Sequence, residues 1–262
     1  MTTPDPAQPA AAAAEPTDAS RFLRYADYLE HKIAHAPKRT KGARTKDALK
    51  LGAIQVLDDV GYHAMRVSDI CEAAGVALAT FYLYFTNKSD ITLQVLSEYL
   101  EQGMGMMAMR EGARTPFESI RAANLRWLQG IRANAGLSRC ITQLGDEEPG
   151  FRELAHRVNR QWYERIAQSF VRRFPGAVSE EVALLAAYAL GAMMDEMARK
   201  LVVYPDPALE VLTGKIARSD EEIADFLTVL WYRALYGGAP AGAKLTGAAK
   251  AIADLDPTGA RT

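Results

Sequence analysis

The 262-residue chain has little of what marks most specialised protein classes. Its two cysteines, Cys71 and Cys140, cannot form a disulfide framework or a CxxC metal pair, and read as small apolar core residues in a reducing compartment. Histidines number four, His31, His35, His63 and His156, and no HExxH or GxSxG accompanies them. His31 and His35 share a helical face but lack a third ligand, and Glu147-Glu148 sits in the loop-like GDEEPG, so neither pair makes an enzyme or metal centre. The chain calls for no cofactor. Formal net charge is -1, so any nucleic-acid signal has to be local. No apolar run approaches the ~20 residues of a membrane span. The start, MTTPDPAQPA, lacks the cationic opening and apolar centre of a signal peptide, which places the expected location in the cytoplasm.

Strand-like alternation is also scarce, and helical periodicity runs nearly throughout. Residues 1–19 are Ala, Pro and acid, and read as a disordered tail. Residues 20–40 form an extra helix and a basic arm. Phe22, Ala26, Leu29 and Ile33 share a face there, with Ser20 as N-cap and Pro37 as the stop. KRTKGARTK, Lys38 to Lys46, holds five cations and no acid. It reads either as a solvated linker or as an arm that touches phosphates. Three short helices follow within residues 41–90. Leu49, Ala53, Val56, Leu57 and Val60 line one face of the first, Thr45 to Val60, with Gly61 as a left-handed terminator. The second spans Val67 to Ala74 and ends at Gly75. The third spans Ala77 to Tyr84. Asn87 then opens a long helix, with Asp90 facing its free amides.

The third helix is crowded with rings: ATFYLYF holds Phe81, Tyr82, Tyr84 and Phe85 in a chain only 8% aromatic. At 100° per residue from Ala77, Phe81 and Phe85 lie near about 40° and 80°, and Tyr82 and Leu83 near about 140° and 240°. The phenylalanines are therefore expected to seat the helix, with Tyr82 outward and Tyr84 at the boundary. Two short helices joined by a Gly-containing turn and held by a longer one form a helix-turn-helix. An outward Tyr or Thr suits phosphate oxygens, and a small apolar residue suits a thymine methyl.

The stretch GYHAMRVSDICEAAGVALATFYLYFTNKSDI, Gly61 to Ile91, resembles the DNA-binding domain of the TetR family of bacterial transcriptional regulators. The resemblance runs from Arg44 to Leu100, about a quarter of the chain, and rests on AGV, TFYLYF and NK. It implies double-stranded operator DNA as partner. It puts Thr80 and Tyr82 on DNA backbone, Leu78, Leu83 and Tyr84 at bases or phosphates, Lys88 on phosphate, and Arg66, Val67 and Ser68 against DNA. The chain departs from the family at Ala77, Leu78 and Leu83, where polar or basic residues are common. Base readout by hydrogen bonding is thereby thinned, and Lys38, Arg39, Lys41, Arg44, Lys46 and Arg66 are expected to compensate through backbone and shape.

Beyond residue 90 the family implies an all-α regulatory, ligand-binding and dimerisation domain, here residues 91–237, with a flexible tail over 238–262. Two apolar stripes support a homodimer or, equally, an internal core. One is Val182, Leu185, Ala186, Ala189, Met193 and Met197, and the other Ile223, Phe226, Leu227, Leu230, Trp231 and Leu235. A pocket for a lipophilic small-molecule effector is expected between the middle helices. Its candidate residues are Met106, Met107, Asn124, Trp127, Leu128, Ile131, Gln143, Leu144, Phe151, Trp162, Tyr188, Met193, Met194 and Asp195. The implied function is a repressor released from a pseudo-palindromic operator. An activator and an effector-independent DNA-binding protein remain the alternatives.

Overall fold

A computed structural model describes residues 22–35, 40–107, 115–176, 178–237 and 242–253. They are all helix, turn and loop. Ser20, Pro37, the Lys38-Arg39 half of the basic run and the N-terminal tail lie outside the described residues.

Helix α1, Tyr25–His35, sends Tyr25, Ala26, Tyr28 and Leu29 into the core, so the face that buries is broader than the expected Ala26-Leu29 line. Helix α2, Lys41–Ala64, starts four residues before the expected Thr45 because the Thr40 hydroxyl accepts the Ala43 amide at 3.2 Å and caps it. The second half of the expected basic arm is thereby helix. At Gly61 the backbone turns to φ 74° and ψ 172°, which ends the regular helix but not in the left-handed helical region expected there. Helix α3, Val67–Ala74, has the expected bounds, and Gly75 closes it with φ 65° and ψ 34°.

Helix α4, Leu78–Phe81, is shorter than the expected Ala77 to Tyr84. The reason is hydrogen-bond pitch: Leu83 donates to the Thr80 carbonyl and Tyr84 to that of Phe81, so the chain tightens into three-residue turns. Helix α5, Lys88–Met107, opens as expected. The Asn87 side chain accepts the Asp90 amide at 2.9 Å, and the Asp90 carboxylate accepts the Thr86 amide at 2.8 Å.

The remaining helices are α6 (Pro116–Ala133), α7 (Ala135–Glu147), α8 (Pro149–Arg173), α9 (Glu180–Ala198), α10 (Pro207–Ile216), α11 (Asp220–Tyr236) and α12 (Gly247–Ala253). A π-helical turn, Arg199–Val203, extends α9. Two of these helices were not anticipated. Helix α10 follows the Pro-Asp-Pro punctuation, which is a start signal as well as a stop: Asp206 caps the Ala208 and Leu209 amides, and Pro207 takes the first turn. Helix α12 lies within the expected tail over 238–262. Its Ala249 and Ala253 are small enough to pack closely beside Phe117 and Val229.

The buried side chains form separate cores. One holds α1 to α5, with Leu137, Cys140 and Leu144 of α7 and Phe151 of α8. Another joins α6, α9 and α11 through Leu128, Met194, Leu227 and Trp231. Both cysteines are free and buried, and burial pushes the Cys140 thiol up to about 12, as suits an inert core residue. No helix among the described residues is long and apolar enough to cross a membrane.

Candidate nucleic-acid interface

The helix-turn-helix is α3, the Gly75 turn and α4, carried on α2. Phe81 and Phe85 are fully enclosed, at 0% and 2% exposure, and their ring centroids lie 5.6 Å apart. Around them the same short segment turns outward: Leu78 is 51% exposed, Tyr82 57% and Leu83 78%. Thr80 and Tyr84 are half-buried. Tyr84 lies across the first turn of α2, where a Cβ on Gly42 would meet its hydroxyl at 3.2 Å. Each ring thus has a task. Two anchor the segment, one ties it to α2, and Tyr82, edge-on to Phe81 at 5.4 Å, turns its outer face to solvent.

Arg66 and Ser68, at the start of α3, are exposed beside this face, and Val67 is half-buried. Arg66 occupies the N-cap position, where its amide donates to Asp69 at 3.0 Å and its guanidinium is not used in the cap. The first turn of α2 contributes Lys41 and Arg44, both exposed; Lys46, in the second turn, is half-buried with its ammonium 5.4 Å from the Phe85 ring centre. The first turn contains no acid. A helix N-terminus already carries partial positive charge, so cations there repel it unless an anion joins them. The arrangement suits phosphate.

Lys88 requires a correction. Its ammonium is half-buried and donates to the carbonyls of Tyr62, His63 and Met65 at 3.0, 3.3 and 3.2 Å. It also lies 4.6 Å from the Tyr62 ring centre. All three protons are used on the end of α2, where helix carbonyls concentrate negative charge. The side chain expected on phosphate is a brace that joins the end of α2 to the start of α5. Near it, burial first raises the Asp90 carboxyl, but hydrogen bonds from Thr86 and Gln94 and the charge of Lys46 outweigh this and hold it below its usual range.

The residues expected to line an effector pocket fall in more than one place. Trp127, Leu128, Met193 and Met194 belong to the α6–α9–α11 core, whereas Leu144 and Phe151 belong to the core beneath the helix-turn-helix. Asn124 is buried and donates to the Thr228 hydroxyl at 3.0 Å, which spends its amide on an α6–α11 tie. Ile131, Gln143 and Trp162 are half-buried. Tyr188 is exposed at 41%, its ring 4.5 Å from that of Tyr163, and lines an open hollow between α8 and α9 beside Arg157 and Arg160. Asp195 accepts the Tyr163 hydroxyl at 3.3 Å. Met106 and Met107 fall in the last turn of α5, where only the backbone is described.

The expected α9 stripe divides. Ala183, Ala187, Gly191, Met194 and Ala198 face the core, while Val182 (55%) and Leu185 (71%) are exposed, with Ala189 on their side. Apart from Met194, the inward residues were missed because they are small. Tyr163 explains one of them, since a Cβ on Gly191 would stand 2.1 Å from its ring. Periodicity marks both faces of such a helix as apolar and cannot say which is the inner one.

Comparison with known proteins agrees with the geometry. Residues 51–95 match the family described as bacterial regulatory proteins, tetR family. The fatty acid metabolism regulator protein of Bacillus subtilis is 43% identical over 65 residues, a match covering 25% of this chain and 31% of that protein. The HTH-type transcriptional regulator EthR of Mycolicibacterium smegmatis is 21% identical over 78% of this chain and 92% of its own length. A solved structure from Syntrophomonas wolfei, titled as a TetR-family transcriptional regulator, superposes with a TM-score of 0.56 at 15% identity, covering 78% of this chain and all of that one. The motif of the tetR family of bacterial regulatory proteins is matched in the DNA-binding helices, and the fold along most of the chain is the one seen in structures of TetR-type regulators.

Proposed function

We propose that the protein is a repressor that binds a pseudo-palindromic operator as a homodimer and is released by a lipophilic small-molecule effector. The observation that carries the DNA contact is the outward set Leu78, Tyr82 and Leu83, in a head that also exposes Arg66, Ser68 and the cationic start of α2, whose Gly42 abuts Tyr84. A ring and two aliphatic side chains left to solvent cost free energy unless a partner covers them. The surrounding cations select a polyanion as that partner. Thr80, Tyr82 and Tyr84 are assigned to sugar-phosphate contacts, and Leu78 and Leu83 to thymine methyls. Dimerisation is assigned to the Val182-Leu185 face of α9, which would space two reading helices about one DNA turn apart.

The effector argument rests on the body of the protein. The relative named for fatty acid metabolism resembles this chain over 65 residues only, so its name does not bear on the effector site. The α6–α9–α11 core is rich in Met and Trp, which adapt to apolar ligands of varied shape. Release requires that the effector bind the off-DNA conformation more tightly. The effector-independent alternative is favoured by one observation, the complete burial of Leu128 and Leu144 in two different cores. A gel shift on DNA upstream of the protein's own gene, repeated with a series of acyl and aromatic compounds, separates the two. Release by some members supports the effector scheme. A shift that no compound changes supports the alternative. Promoter position decides between repressor and activator and is read by reporter expression.

A further inference from the structure

A minimal helix-turn-helix needs only α2 to α4, yet α1 is built into the protein at three places. The first turn of α1 docks at the joint between α6 and α7. Asn134, at that joint and 3% exposed, accepts the Tyr25 amide at 2.7 Å and donates to the carbonyls of Leu23 at 2.7 Å and Gly130 at 2.8 Å. Both amide protons and the oxygen are engaged: the oxygen and one proton join the start of α1, and the other proton closes the end of α6. The second place is α5. The Tyr25 hydroxyl donates to one oxygen of Glu98 at 3.2 Å, while the buried Lys50 of α2 donates to the other at 2.5 Å. The third is α2 itself, where Arg24 pairs with Asp58 at 3.2 Å. Just there α7 passes so close that a Cβ on Gly136 would meet Asp58 at 2.3 Å and the Leu57 carbonyl at 3.0 Å.

These contacts tie α1 to three segments that the reading of DNA uses differently. Helix α2 carries the reading face, α5 leads from it into the body, and the α6–α7 joint belongs to the body, whose α7 also packs directly on α2. We propose that α1 is a brace that sets the orientation of the reading head on the regulatory body, with Asn134 and Tyr25 as its positioning residues. This rests on the DNA-reading assignment above. Two further features fit it. Lys50 and Glu98 form a partly buried ion pair, whose best-attested use is to fix register rather than to add stability. Tyr25, Ala26, Tyr28 and Leu29 make α1 continuous with the core under the head, so the brace cannot shift without disturbing that core.

The test uses the full chain. Spin labels on Glu72→Cys in α3 and Arg172→Cys in α8, both exposed, report the head-to-body distance by pulsed dipolar spectroscopy. Both native thiols are buried and leave the labelling selective. Asn134→Ala should broaden the distance distribution while the helical circular dichroism is kept. It should also lower operator affinity by about tenfold, the effect of one lost buried hydrogen-bonding group. Discrimination against an operator with one base pair inserted between half-sites should shrink in parallel, which a merely less stable protein would not show. Tyr25→Phe removes only the hydroxyl contact and should move all three readouts the same way by less. Should Asn134→Ala not fold, Tyr25→Phe decides. Unchanged distances and unchanged spacing discrimination overturn the brace. If the wild type binds no operator, the DNA-reading assignment fails, and the dipolar distances still decide whether α1 holds head to body.

Discussion

The reading head and helix α9 both leave large apolar side chains in solvent, and they differ in what stands beside them. The head that carries Tyr82 and Leu83 also exposes the cations Arg66, Lys41 and Arg44, and Tyr84 abuts Gly42 in the same turn of α2 as the last two. On α9, Val182 and Leu185 stand on a helix whose charged residues, Glu180, Glu181, Asp195 and Glu196, are all acidic. The lesson is that exposure alone does not name a partner. Apolar groups set among cations fit a polyanion with methyl groups in its grooves. Apolar groups spaced along a helix without cations fit another helix.

The comparison can be broken most severely on α9. Leu185→Glu should convert the dimer to monomer in analytical ultracentrifugation. It should weaken operator binding by roughly a hundredfold or more, because two linked half-site contacts become one. A dimer that survives the change would remove α9 from the interface. The next effect separates the inner rings from the outer. Phe85→Ala empties a filled core site and should cost about 3–5 kcal/mol in denaturant unfolding. Tyr82→Ala should leave stability within about 0.5 kcal/mol. Equal losses in the two variants would mean that Tyr82 is also a structural ring.

A finer contrast lies between the cations. Arg44→Ala should lower the slope of log affinity against log salt by about one. Lys88→Met should leave that slope unchanged and lower the unfolding midpoint, because its ammonium holds carbonyls of Tyr62, His63 and Met65. The smallest effect concerns Asp90. Its carboxyl is held low in the folded protein, so its contribution is present above the ordinary carboxylate range and is lost as pH falls through the folded value. In Asp90→Asn the fall of stability below about pH 4 should be shallower.

Much of the head was legible because its signals are local. The bounds of α3, the Gly75 turn and the inward pair Phe81 and Phe85 follow from spacing within a few residues. What escaped depends on partners far along the chain. Lys88 bonds carbonyls more than twenty residues earlier, and nothing in the motif NK announces them. Asn134 meets Tyr25 across 109 positions, and a lone Asn between two helices reads from sequence as an ordinary connector. The expected effector residues are ambiguous for another reason. Met, Trp and Leu at helical spacing describe a pocket wall and a packed core equally well, and Leu128 and Leu144 proved to be core. Helix α12 was hidden by composition, since alanines pack closely without raising hydrophobicity.

The central claim is that the outward face of α4 reads DNA. A fluorescence-anisotropy titration of the folded dimer on labelled DNA from upstream of its own gene tests it directly, with Tyr82→Ala alongside and unlabelled non-specific duplex as competitor. The account predicts salt-dependent, competitor-resistant binding that Tyr82→Ala weakens by about tenfold, in line with a lost ring and hydroxyl contact. Competitor-resistant binding that Tyr82→Ala leaves untouched would contradict it.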